Sequence, residues 1–308
     1  MAATPGVSAT YKAREVEETL DVWFYRPLGY QIARAASRLS LTPNAVTAIG
    51  GLLGIIAGHL FLYRGWVPAA CGITLLVTSE AFDSADGQLA RLVGQYSKLG
   101  RILDGLASNL VFTSIYVHLA IRVAPELGSL AAIGLTLGAG VSHSMQCSVA
   151  DYYRNAFLYL GGVGRGELDE AQQVETDYRA LSWPRDLGRK LVFRLYLNYT
   201  RQQEMLTHSF RALQREVAAS YPEARPAWLT EAYRAMNKPL LKYYNILTAN
   251  TRMLVLAVAV CTKRPLLYLG FEIVVLNALL VWVSSVQNRI NKRLLDEVRG
   301  AGTSERPS

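Results

Sequence analysis

The chain has little that a soluble enzyme leans on. Of 308 residues, three are cysteine and four are histidine, and charged residues make up 18% against 51% hydrophobic. Cys71, Cys147 and Cys261 fall in or beside apolar runs without metal-ligand spacing. That excludes a cysteine-based metal centre and leaves them as small buried apolar residues. No stretch interleaves basic residues with aromatics in a nucleic-acid-binding pattern. The net charge of +8 is therefore read as loops facing anionic lipid, with no nucleic-acid partner. The start shows no signal-peptide layout, because the first apolar run follows a charged, aromatic stretch. No internal repeat or low-complexity segment is visible.

What the chain does have is long apolar runs, which predict an all-α integral membrane protein with six transmembrane helices. Residues 1–40 read as a tail followed by an amphipathic juxtamembrane helix. In that helix Val16, Leu20, Trp23 and Phe24 lie on one side, and Lys12, Arg14, Glu17 and Glu18 on the other. Residues 41–150 hold four spans, about 43–63, 66–92, 99–123 and 127–150. Thr42 caps the first and Pro43 occupies its first turn. Gly50, Gly54 and Gly58 give it a close-packing seam. Residues 151–248 read as a helical cytoplasmic insertion, broken at Trp183-Pro184 and at Tyr221-Pro222. Its basic cluster (Arg185, Arg189, Lys190, Arg194) could hold a phosphate or anionic lipid headgroups, with a solvated helix face the favoured reading. Residues 249–308 carry spans five and six and a basic tail. Basic residues near the span ends place both termini on the cytoplasmic side.

Thr78 to Asn109 is the informative stretch. Ionisable residues at membrane depth are functional by default. Asp83 and Asp86 are three apart and share a helix face, Asp104 follows beyond a short polar turn, and Glu80 lies one turn before Asp83. A two-helix hairpin predicts that Asp104 meets the Asp83/Asp86 face. Carboxylates without neighbouring His or Cys suit hard cations, Mg²⁺ above all.

Asp83, Asp86, Gly87, Ala90, Arg91, Gly100 and Asp104 fill seven of the eight fixed positions of D-x2-D-G-x2-A-R-x8-G-x3-D-x3-D. In this the chain resembles the CDP-alcohol phosphotransferase (phosphatidyltransferase) family. The eighth position departs: Ser108 stands where the family has its fourth Asp, with Asn109 next. The resemblance implies that Asp83, Asp86 and Asp104 ligate two divalent metals (Mg²⁺ or Mn²⁺), and that Gly87, Ala90, Arg91 and Gly100 accommodate the cytidine nucleotide. It also implies an inner membrane of bacterial type, a homodimer, and transfer of a phosphatidyl or related phospho-group from a CDP-linked donor such as CDP-diacylglycerol to a small alcohol or polyol phosphate with release of CMP.

An ordinary serine hydroxyl is too weakly basic to replace the fourth carboxylate as general base, although it can ligate Mg²⁺. Glu80, Asp151 or an acceptor that already carries a phosphate are the compensations the sequence offers. Asp104, Glu80 and Ser108 are accordingly the candidate catalytic residues. His143 and Gln146 are read as buried packing or hydrogen-bonding groups. An active transferase, a pseudoenzyme acting as a nucleotide- or lipid-binding scaffold, and a cation transporter remain as readings. The transporter leaves Gly87, Ala90, Arg91 and Gly100 without a purpose.

Overall fold

The computed structural model describes residues 14–304 apart from 165 and 167. The tail expected over residues 1–10, Lys12 and the last four residues lie outside the described residues. Within them every regular element is helical. A π-helical turn, Asp21–Tyr25, leads into α1 (Arg26–Arg38), followed by α2 (Pro43–Leu60), α3 (Trp66–Val93), α4 (Lys98–Leu127) and α5 (Ser129–Leu160). The inserted helices are α6 (Ala171–Ala180), α7 (Leu187–Leu206), α8 (His208–Ser220) and α9 (Ala227–Asn237). A short turn, Lys238–Leu240, and α10 (Leu241–Ile246) connect to α11 (Ala249–Cys261). Then α12 (Pro265–Gly270) continues through a π-helical stretch, Phe271–Leu276, into α13 (Asn277–Ser304).

Among the described residues, four stretches are long and apolar enough to cross a membrane: Pro43–Leu60, Lys98–Leu127, Ala227–Cys261 and Pro265–Ala301. Helices α3 and α5 have the length, at 28 and 32 residues, but polar residues dilute both. Among these are Glu80 and Asp83 in α3, and His143 and Gln146 in α5.

The α2 start is as expected, with Ala45 N–H bonded to Thr42 Oγ1 at 3.2 Å. The glycine seam is filled within the chain. A Cβ at Gly50 would lie 2.8 Å from Phe82 of α3, and one at Gly58 would lie 2.6 Å from Ser114 Oγ of α4. At Gly54 it would collide with Val111 and Ser79. Gly54→Leu is therefore expected to overpack the α2–α3–α4 contact and cost about 1–3 kcal/mol, seen as a lower melting midpoint in detergent.

Four expectations are corrected. The amphipathic segment does not divide as its pattern suggests: Val16 is buried against Phe157, Leu158 and Leu241, whereas Trp23 is 80% exposed. Helix α1 packs Ala33 and Ala36 against Ala85 and Leu89 of α3. The fourth apolar helix does not end near residue 150 but runs to Leu160. Its extension shares a core with the insertion: Tyr152 and Tyr153 pack with Phe210, Tyr233 and Tyr244, and with Leu294 and Val298 of α13. Two of the cysteines, Cys71 and Cys261, are exposed rather than buried. The basic cluster is also not uniformly solvated. Lys190 is buried, donating to the Leu181 carbonyl at 2.5 Å and lying over the rings of Tyr178 and Trp183.

Candidate active site

Glu80, Asp83 and Asp86 follow one another at three-residue steps along α3, so their side chains stack on one face. That face lines a cavity of about 260 Å³, closed by α2, by Ser108 and Phe112 of α4, and by the start of α11. Asp86 is buried and accepts a hydrogen bond from Thr47 Oγ1 of α2 at 2.5 Å. Two turns deeper, Ser79 donates to the Gly50 carbonyl at 2.8 Å, an approach that a side chain at Gly50 would obstruct. Ser108 faces the same cavity, its hydroxyl 3.3 Å from Asp83 Oδ1. The serine that replaces the eighth motif position thus acts as a neutral donor to a motif carboxylate.

Two carboxylates unforeseen in the sequence complete the cavity: Glu18 and Asp21, from the segment before α1. Asn250 holds both, donating to Glu18 Oε2 at 2.8 Å and to Asp21 Oδ1 at 2.9 Å, and Thr248 also donates to Glu18. Arg154 fixes the segment's backbone through the Val16 carbonyl at 3.0 Å. Burial raises the pKa of both groups above the ordinary carboxylate range, and each is pushed further by a neighbouring carboxylate, Asp21 for Glu18 and Glu17 for Asp21. The amphipathic pattern gave no sign of this role, since it assigns Glu18 to a solvated side.

Among the described lining residues, five carboxylates therefore face a single cation, Arg154. A set of oxygen donors with that charge balance matches what a divalent hard cation requires. As placed, no three His, Cys, Asp or Glu side chains among the described residues are gathered closely enough to share one ion.

Asp104, one turn before Ser108 on α4, lines a second cavity of about 330 Å³ that shares Ser108, Phe112 and Ala249 with the first. The expected turn joins α3 to α4, and both helices pack on α2. Gly94 takes the left-handed conformation (φ 68°) that ends α3, and Ser97 caps α4 by accepting from Gly100 N–H at 2.9 Å. The walls of this second cavity come from α4, α5 and α7. Asp151, on the α5 extension, and Tyr196, Tyr199 and Gln203, on α7, all border it. Asn109 sits at its edge and donates to the Gly105 carbonyl at 2.7 Å.

Gly87, Ala90, Arg91 and Gly100 line neither cavity. They sit nearer the hairpin turn, where the Arg91 guanidinium folds back to 3.5 Å from the Cβ position of Gly87. His143 packs on Phe112 at 4.3 Å between ring centres and pairs with the Tyr116 hydroxyl at 3.1 Å. Gln146 donates to the Glu272 carbonyl at 3.0 Å and to Asn277 Oδ1 at 2.8 Å. His143 also borders the second cavity.

Residues 40–150 match the family model described as CDP-alcohol phosphatidyltransferase. The chain is 30% identical over 152 residues to the inner membrane protein YnjF of Escherichia coli, covering 46% of this chain and 71% of that protein. It is 35% identical over 91 residues to an archaetidylinositol phosphate synthase of Pyrococcus horikoshii, covering 30% of this chain and 47% of that enzyme. A phosphatidylinositol phosphate synthase of Cutibacterium acnes is 31% identical over 94 residues, covering 30% of this chain and 44% of the enzyme. The chain thus spans less than half the length of these two synthases. The matched stretch 40–150 contains the carboxylates of α3 and α4, but not Glu18, Asp21 or the inserted helices.

Proposed function

The chain belongs to the CDP-alcohol phosphatidyltransferase family, and from that premise we propose that it transfers a phosphatidyl group from CDP-diacylglycerol to a small alcohol, releasing CMP. The observation that carries this reading is the α3 face, where Asp83 and Asp86 look into a cavity rich in carboxylates while seven of eight motif positions are intact. The acceptor oxygen forms a bond to the β-phosphorus, the bond from that phosphorus to the CMP oxygen breaks, and the acceptor proton goes to a carboxylate. By the family resemblance Asp83, Asp86 and Asp104 are the residues that would hold Mg²⁺ or Mn²⁺, although as placed they do not gather round one ion. Bound there, the metal would supply stabilisation of charge on the attacking and leaving oxygens.

Ser108 orients Asp83 rather than taking the proton, for which its hydroxyl is too weakly basic. Glu80, on the Asp83 face, and Asp104, beside the second cavity, are the carboxylates suited to that task. Gly87, Ala90, Arg91 and Gly100 form the approach for the nucleotide, where Arg91 can pair with a phosphate.

The topology in this reading has six spans, adding α3 and α5 to the four apolar stretches, with both termini and the site on the cytoplasmic side. Arg26, Arg34, Arg38, Arg91, Lys98 and Arg101 cluster at that end and support it. The homodimer of the family would then use a surface other than the Gly50–Gly58 seam, which is filled within one chain.

The test is CMP release by the purified protein in detergent with CDP-diacylglycerol, Mg²⁺ or Mn²⁺, and a panel of alcohols. Acceptor-dependent CMP supports the assignment. No CMP from any acceptor, with CDP-diacylglycerol still bound, favours a scaffold instead, the reading that Ser108 motivates. Ser108→Asp separates the two. In an active enzyme it adds a carboxylate beside Asp83 and changes turnover by less than about tenfold, within the usual contribution of a base already supplied elsewhere. A gain of about 10²-fold or more would mean that the natural chain lacks its base.

A further inference from the structure

We propose that the second cavity, walled on one side by α7 of the insertion, is the acceptor pocket, and that it selects an alcohol bearing no phosphate. The inference rests on the transferase reading for its chemistry and on the cavity itself for its specificity.

Position is the first argument. The cavity meets the carboxylate cavity across Ser108 and Phe112, and Asp104 is on its wall. A small alcohol lodged there has its hydroxyl beside the residues assigned to the reaction. Its volume of about 330 Å³ lies at the small end of the range for ligand pockets, about 300–1,000 Å³.

Charge is the second. Among the described lining residues the carboxylates are Asp104, Asp151 and Asp169, and the cation is Arg101. Arg101 is already committed, with Nη2 2.6 Å from Asp169 Oδ2, the oxygen that also accepts from the Tyr196 hydroxyl. Asp151 is held by neutral donors, Gln203 Nε2 at 3.3 Å and Asn155 Nδ2 at 3.2 Å. Phosphate recognition calls for forked cationic donors aimed at the ligand. Here the charge of the guanidinium is paired with the Asp169 carboxylate, and Asp151 would repel a phosphorylated acceptor.

The remaining surface suits hydroxyls. Tyr196 and Tyr199 stack with ring centres 6.4 Å apart and present flat faces and phenolic oxygens. Asn155 and Gln203 add amides that can both donate and accept. Tyr196, Tyr199, Gln203 and Asp169 lie outside the stretch matched by the family model, so this selectivity would belong to the inserted segment.

The test uses the full chain in detergent with CDP-diacylglycerol and Mg²⁺. Glycerol, inositol and ethanolamine are compared with glycerol 3-phosphate and inositol phosphate. The expected result is a KM for an unphosphorylated alcohol about tenfold or more below that of its phosphorylated counterpart. Val192→Trp, which fills the α7 wall, should raise the acceptor KM about tenfold and leave the CDP-diacylglycerol KM unchanged. Asp151→Asn keeps the size of the side chain and should shrink the discrimination against the phosphorylated acceptor about fivefold.

A phosphorylated acceptor preferred by the natural chain would overturn the proposal, as would a Val192→Trp effect confined to the donor. Equilibrium dialysis with radiolabelled glycerol or inositol gives a readout without turnover. Saturable binding that Val192→Trp removes, in a chain that releases no CMP, would sink the transferase reading and leave the pocket standing. Absence of saturable binding and of any effect from either variant would sink the pocket.

Discussion

Asp83→Asn is expected to lower CMP release by roughly a hundredfold to a thousandfold while leaving the fold in place. Metal-held charge stabilisation is worth several kcal/mol, and at 1.36 kcal/mol per tenfold a loss of about 3–4 kcal/mol gives that range. Asparagine keeps the shape of the side chain and one oxygen but removes the charge. Asp83 is the better target than Asp86, because its hydrogen bond from Ser108 is long, at 3.3 Å. Asp86 instead anchors α2 through Thr47 at 2.5 Å. The variant should therefore melt close to the natural chain and still bind CDP-diacylglycerol, with its dependence on Mg²⁺ shifted to higher concentration. Undiminished CMP release would remove Asp83 from the reaction and with it the reading of the whole α3 face.

Arg252→Met carries the largest expected effect on stability. Arg252 of α11 and Glu272, in the π-helical stretch after α12, are both 0% exposed, with Nε 2.9 Å from Oε1. The same guanidinium donates to the Thr248 carbonyl at 3.0 Å, to the Leu247 carbonyl and to Gln146 Oε1. Removing the cation strands a buried carboxylate and three acceptors, a loss of about 3–5 kcal/mol. Denaturant titration in mixed micelles measures it. Exchanging both partners, Arg252→Met with Glu272→Leu, should recover most of the loss, since a buried pair and a packed apolar pair are close in free energy. A single variant as stable as the natural chain would mean that the pair is not enclosed as described. Because Thr248 also holds Glu18, the single variant should loosen the acidic cavity as well as the helix contact.

The parts of this protein legible in its sequence are the ones fixed by short-range geometry. Thr42 and Pro43 announce the start of α2 because a cap acts within one turn. Asp83 and Asp86 share a face because a helix repeats every 3.6 residues, and the glycines of α2 spell out a seam by their spacing. Contacts across the chain were not legible. Glu18 reaches Asn250 from 232 positions away, and no periodicity connects them. Asp104 was expected against Asp83; α3 and α4 each pack on α2, and Asp104 borders a second cavity, an arrangement that the spacing of the motif does not encode. Arg252 and Glu272 stand on separate helical elements, and only their packing makes them a pair. The insertion was recognisable as extra length, yet its shared core with α5 and α13 depends on which aromatics meet.

The anchoring of Glu18 and Asp21 bears on how members of this family are compared. Two of the five carboxylates in the cavity come from a segment that precedes the matched stretch, tethered by residues that follow it. Exchanging residues 40–150 between relatives would move the recognisable motif and leave part of its electrostatic surroundings behind. Such a chimera would carry the motif's ligands with a different local charge, and its affinity for cations would follow the host's flanking segments rather than the donor's motif.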